Sequence, residues 1–218
     1  MSLALDHVVV VADTLEQGAS WCVQTLGIEP GPGGRHALMG THNRLFAIGS
    51  PTFPRAYLEI IAIDPDAALP GRARWFGMDD PAQRTAVGDE PRLLHWVART
   101  DSLMVARSGI DHIGLDAGIP ITASRGALSW RITVRPDGTL LCQGALPTLI
   151  EWGTTHPADT MPASGVTLDA LVLRGVPRAL AADLPPGASL ADDAGTPIEA
   201  VFTTPRGSVR LLSWRAPR

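Results

Sequence analysis

Two histidines and two glutamates recur at matched places in this 218-residue chain. His7 stands in Leu5-Asp6-His7-Val8-Val9-Val10 and His95 in Leu93-Leu94-His95-Trp96-Val97-Ala98. Glu59 stands in Tyr57-Leu58-Glu59-Ile60 and Glu151 in Leu149-Ile150-Glu151-Trp152. A third copy opens at Leu168-Asp169-Ala170-Leu171-Val172-Leu173 and closes at Leu211-Leu212-Ser213-Trp214, so it carries neither type. A carboxylate in an apolar run needs a partner, because burying it unpaired is costly. The joint loss of His and Glu in the third copy is what a shared site predicts. Two neutral imidazoles with two carboxylates suit a divalent transition ion (Fe, Mn, Co, Ni or Zn) and leave positions for water or a bidentate substrate. Such an ion polarises a carbonyl or enediolate, and Glu59 or Glu151, leaving the metal, serves as general base. The competing expectation is that each His is a hydrogen-bonded core residue, the commonest fate of a lone His in an apolar strand.

The elements around these residues read as repeated βαβββ units. Residues 4–12 form a strand apolar on both faces, with His7, Val9 and Val11 sharing one face. Asp13 is placed to cap a helix, with Glu16 completing a capping box. Leu15, Ala19, Cys22 and Leu26 make its buried stripe, and Gly27 ends it. Strands follow near 35–40, 43–49 and 56–63, closing a first module over residues 1–64. Residues 65–90 read as a linker with one helical turn. The second module spans 91–153, with Thr100 or Asp101 capping a short helix and strands near 128–135 and 139–152. Arg135-Pro136-Asp137-Gly138-Thr139 between them reads as a hairpin turn. Residues 166–218 form a shorter, degenerate third module: a strand at 166–173, a helix with Pro177 in its first turn, and a hairpin around Pro205-Arg206-Gly207. The fold class is therefore α+β, with paired βαβββ modules forming a cupped mixed sheet and a third partial module at the C-terminus.

Composition narrows the partners. Apolar residues make up 45%, enough for a sizeable core. A net charge of −4, with no lysine and scattered arginines, argues against a nucleic-acid surface. Cys22 and Cys142 give no disulfide framework and read as buried thiols, Cys22 on the helix stripe and Cys142 in a strand. No signal peptide and no membrane span are legible, so a cytoplasmic location is expected. A small-molecule substrate or ligand is the expected partner, with a homodimer as a further possibility.

Four segments carry a family resemblance: Leu5-Asp6-His7-Val8-Val9-Val10, Gly33-Gly34-Arg35-His36, Met39-Gly40-Thr41-His42-Asn43 and Tyr57-Leu58-Glu59-Ile60-Ile61. They resemble the glyoxalase-like members of the vicinal oxygen chelate superfamily, over roughly residues 4–152. That superfamily includes glyoxalase I, extradiol dioxygenases, methylmalonyl-CoA epimerase, and bleomycin- and fosfomycin-resistance proteins. The resemblance implies a cupped sheet around a metal, with ligands from the first and last strands of each module. By position these fall on His7, Glu59, His95 and Glu151. The scaffold hosts many chemistries, so the resemblance specifies the fold more closely than the reaction.

Other residues are expected near the cleft. Arg35 and His36 lie in a Gly-rich segment placed to cover its mouth, and Asn43 is placed to orient a ligand. Arg99 shares a face with His95, and Trp152 is placed to wall the cup beside Glu151. His112 and His156 fall in loops and receive no role. There is no Gly-rich phosphate loop, Cys-pair zinc motif or nucleophile elbow. The first functional expectation is a metal-dependent lyase, isomerase or dioxygenase acting on an oxygen-chelating substrate. The second is a metal-free module that sequesters a small molecule, with His7 and Glu59 hydrogen-bonding each other or the ligand.

Overall fold

The computed structural model describes residues 3–213; Trp214, in the expected third repeat end, lies outside the described residues. The first half runs β1 (Ala4–Val11), α1 (Leu15–Leu26), β2 (Gly33–His36), β3 (Thr41–Ala47) and β4 (Tyr57–Ile63). After α2 (Pro81–Asp89), the second half runs β5 (Arg92–Arg99), α3 (Leu103–Asp111), β6 (Ile119–Arg125), β7 (Leu128–Val134) and β8 (Thr148–Trp152). The eight strands form one sheet in the order β2-β3-β4-β1-β5-β8-β7-β6. Each half repeats one topology: its first strand pairs in parallel with its last, and β1 and β5 join the halves antiparallel. The sheet curls until its edge strands β2 and β6 approach each other. The α+β cupped architecture is thus as expected.

The C-terminal strands β9 (Thr167–Arg174), β10 (Ala188–Ala191), β11 (Ile198–Thr204) and β12 (Gly207–Leu212) make a second sheet, ordered β10-β9-β11-β12. It covers the convex side of the large sheet. Leu168, Leu171, Ile198 and Phe202 join one core with Cys22 and Leu26 of α1, Leu103 and Ile110 of α3, and Val8, Leu58 and Trp96 beneath. Close packing of α1 needs Gly18, where a Cβ would stand 2.4 Å from an Ile60 methyl.

The concave side is partly filled by the chain between the halves. Trp75, Phe76, Met78 and Val87 pack on Val9, Val97, Ile132 and Ile150. This segment holds more structure than one helical turn. A 3-10 turn at Trp75–Gly77 precedes α2, whose N-cap Asp80 accepts from the Gln83 amide with Pro81 at the first position.

Several local expectations shift for identifiable reasons. Thr14, not Asp13, caps α1: its hydroxyl accepts from the Gln17 amide, and Gln17 reaches back to the Asp13 amide at 2.9 Å. Ser102 caps α3 in place of Thr100 or Asp101. The span 139–152 is strand only from Thr148, and Arg135–Thr139 turns into an irregular segment rather than a hairpin. Cys142 sits there in a 3-10 turn at φ 50°, not in a strand. The expected helix after Pro177 is a 3-10 turn, Arg178–Asp183.

Candidate functional site

The site begins with a register defect. Between β1 and β5 the pairing passes from Leu5↔Ala98 to His7↔Val97, so Asp6 is an extra residue in β1. Such a bulge re-aims the side chains beside it. Here it lets Asp6 reach the His7 ring while His7 keeps its place on the concave face. Asp6 Oδ1 lies 2.7 Å from His7 Nδ1, and His7 Nε2 lies 3.4 Å from Glu59 Oε2. Glu59 is brought there by β4, where Tyr57 and Glu59 alternate onto the same face. Tyr57 stacks on the His7 ring at 4.6 Å.

Asp6 is fully buried and collects donors. His156 Nε2 lies 3.0 Å away, the Trp152 indole N–H donates at 2.9 Å, and an Arg99 amino group stands at 3.5 Å. The Ala158 amide donates to His156 Nδ1, so the His156 proton sits on Nε2 and points at Asp6. Burial alone would raise the Asp6 pKa, but the hydrogen bonds from His156 and His7 hold it well below the usual carboxylate range. Burial pulls His7 down, and its bonds to Asp6 and Glu59 outweigh that, raising its pKa to about 9. Burial pushes Glu59 up, and His7 and Asn43 bring it below its ordinary value. At neutral pH the floor of the cup is an imidazolium between two carboxylates.

The rim comes from β2, β3 and β6. The Asn43 amide donates to Glu59 Oε1 at 2.6 Å, and its oxygen accepts from the Gly34 amide and from Arg125 Nη1 at 3.1 Å. Arg125 lies across Gly34, where a Cβ would meet the arginine Cδ at 2.5 Å. His36 Nε2 faces Asn43 and Arg125 at 3.3 and 3.4 Å, and burial pushes its pKa down to about 4. Trp75, Phe76, Trp130 and Trp152 complete the wall. The free space inside the cup is about 30 Å³, room for little more than water.

The second half is built differently. Its bulge residue is Leu94, not an acid: the pairing passes from Val9↔His95 to Val10↔Leu93. The Thr148 amide donates to His95 Nε2 at 3.1 Å, so Nδ1 carries the proton and donates to the Gly144 carbonyl at 2.8 Å. Burial, with the charge of His7 nearby, pushes His95 down to about 3 against the Gly144 contact. His95 is neutral with both nitrogens engaged.

Glu151 lies on the opposite face of the sheet. It accepts from the Leu103 amide at 2.7 Å and pairs with Arg131 at 2.6 Å. The counterpart of Glu59 is Thr148: Val9 pairs with Glu59 and Val97 with Thr148. Thr148 Oγ1 accordingly lies 2.9 Å from His95 Nε2. Glu151 is three residues further on, and an odd offset in a strand changes faces. The expected four residues do not converge: His7 and Glu59 meet, His95 is enclosed behind them, and Glu151 is elsewhere.

The remaining candidates divide. His36, Asn43 and Trp152 line the cup, Arg99 lies behind it near Asp6 and His156, and Arg35 points to solvent paired with Asp64 and Asp66. The residue pattern gave no role to Asp6, Arg125 or His156. Asp6 carried a signal, being an acid in a buried run; the other two approach from distant segments. The residues present do not fit the four-ligand ion. His7 and Glu59 supply two donors, and no group of three His, Cys, Asp or Glu able to hold a metal occurs among the described residues. Catalytic zinc sites use three protein ligands, and here the guanidinium of Arg125 adds positive charge on the cup wall.

A family model described as a glyoxalase-like domain matches residues 5–186. No curated protein matches the chain by sequence. Among solved structures, a hypothetical protein from Staphylococcus aureus aligns with 99% of this chain and 88% of its own, at TM-score 0.55 and 12% identity. A single-substitution variant of methylmalonyl-CoA epimerase from Streptomyces coelicolor, in complex with 2-nitronate-propionyl-CoA, aligns with 71% of this chain and 99% of its own, at TM-score 0.46 and 15% identity.

Proposed function

The chain belongs to the glyoxalase-like domain family, and from that premise we propose that it binds a small oxygenated molecule at its cup without a resident metal. The engagement of His95 and Glu151 elsewhere supports this reading above all else. With those two residues occupied, the cup presents donors instead of open ligands. The His7 Nε2–H and the Asn43 amide are both directed at Glu59 and hold the cup floor in place, while the Arg125 guanidinium on its wall, bonded only to Asn43 and His36, keeps N–H groups for a ligand oxygen. A fixed guanidinium on the wall of a small, partly aromatic cup suits a carbonyl or carboxylate oxygen. The protein is then a sequestering module, with His7 and Glu59 paired to each other at its floor.

One observation favours the metal-dependent lyase, isomerase or dioxygenase reading. Asp6 behind His7 is the arrangement that orients metal-bound histidines, and His7 with Glu59 would then be the two protein ligands. Elemental analysis of purified protein, before and after addition of divalent ions, separates the readings. Metal far below stoichiometric, together with ligand affinity unchanged by a chelator, supports the metal-free module. One equivalent of a transition ion, lost in both His7→Ala and Glu59→Ala, overturns it.

A further inference from the structure

The cup has room for little more than water, so the bulk of any ligand must lie outside it. A groove of about 630 Å³ lies beside it, within the size range of small-molecule sites. Arg125, Leu45 and Pro157 line both spaces, so the two adjoin at these side chains. The groove runs between the β2–β3 hairpin, the β6–β7 turn and residues 155–164. Its walls are mostly apolar: Leu45, Phe46, Leu128, Met161 and Pro162.

The charges on the groove are unequal. Its two carboxylates are already paired, Glu29 with Arg44 at 3.3 Å and Asp159 with Arg55 at 2.7 Å. Arg125 has no carboxylate within salt-bridge distance among the described residues; its hydrogen-bond partners are Asn43 and His36. A guanidinium at the join of a polar cup and an apolar groove is placed to receive a planar anion.

We propose that the groove binds the apolar body of an amphipathic carboxylic acid, whose carboxylate sits on Arg125 at the cup mouth. This rests on the small-molecule reading above and names its ligand class. Calorimetric titration of chelator-treated protein with decanoate, decanol and acetate tests it. Decanoate binds about ten- to a hundredfold more tightly than decanol, the range of one charge-assisted hydrogen bond, and acetate binds far more weakly than decanoate. R125Q removes the preference for decanoate over decanol, whereas A163F, which narrows the groove at an exposed position, weakens both ten-carbon ligands. Equal binding of decanoate and decanol, or acetate as tight as decanoate, overturns the proposal. The wild-type comparison decides this even if R125Q does not fold. The small-molecule reading survives that result when small carbonyl compounds still quench the cup tryptophans, and fails with the proposal when neither series binds.

Discussion

The two halves of the large sheet place a histidine on equivalent strands and give it opposite charge states. In the first half His7 lies between Asp6 and Glu59 and is protonated at neutral pH. In the second half His95 lies between Gly144 and Thr148 and is neutral. The backbone device is shared, since each strand carries a bulge at the residue before its His. What differs is the side chain at the bulge, Asp6 against Leu94, and at the facing strand, Glu59 against Thr148. Two substitutions on one scaffold thus separate a polar site from a histidine that serves as a core hydrogen-bonding unit.

Converting the first half toward the second gives the largest effect. D6L copies the second bulge but strands His7, His156 and the Trp152 indole, all of which lose their acceptor in the interior. Removing one partner of a buried charged network costs about 3–5 kcal/mol. D6L therefore shows a lower denaturant midpoint with an unchanged slope, and D6N, which keeps an acceptor, a smaller loss. A D6L protein as stable as wild type would show that Asp6 does not hold the first half together.

The charge difference also predicts two separate pH limbs. The His7 pKa is about 9 folded and 6.5 as its reference. Its stabilisation is fully present below pH 6.5 and is lost as pH rises through about 9. The His95 pKa is about 3 folded against the same 6.5. Its contribution is present above pH 6.5 and is lost as pH falls toward 3, where His36, with a pKa of about 4, acts in the same direction. Asp6 and Glu59 add to the acid limb because both carboxyl pKa values are lowered. Denaturant midpoints measured from pH 4 to 9, below the range where the buried Cys22 thiol and the Tyr57 phenol add an alkaline loss of their own, should show that H7Q flattens the alkaline limb and H95Q only the acid one. An alkaline limb that persists in H7Q would remove the protonated-His7 half of the comparison.

Where the apolar pattern decided the structure, the sequence was informative. The runs at 4–12, 56–63 and 93–98 fall on β1, β4 and β5, and Gly27 ends α1 in the left-handed region. The convergence of His7 with Glu59 was legible because both lie at even offsets on neighbouring buried strands. The second half misled for a specific reason. Leu149-Ile150-Glu151-Trp152 resembles Tyr57-Leu58-Glu59-Ile60 more closely than the segment around Thr148 does, although His95 to Thr148 spans 53 residues against 52 from His7 to Glu59. Spacing carried the register, and similarity of residue types pointed to the wrong one. Arg125 was hidden because β6 is an edge strand with alternating partial exposure and Pro120 within it. Nothing local marks such a strand, or shows that curling brings it to β2.

Glu151 gives the smallest effect and the cleanest control. On the convex side it accepts from the first amide of α3 and pairs with Arg131, whose side chain is 44% exposed. Burial raises its pKa, and the Leu103 amide and Arg131 bring it below the ordinary value. These are the contacts of a helix N-terminus with an acid, worth about 0.3–1 kcal/mol near the surface. E151Q keeps an oxygen for the Leu103 amide and loses only the charge. The expected outcome is a fall in stability of less than about 1 kcal/mol, with ligand affinity and metal content unchanged. E59Q at the matched sequence position should instead weaken ligand binding, because Glu59 faces the cup. If E151Q abolished binding and left stability intact, Glu151 would belong to the site, and the division between a polar first half and a structural second half would fail.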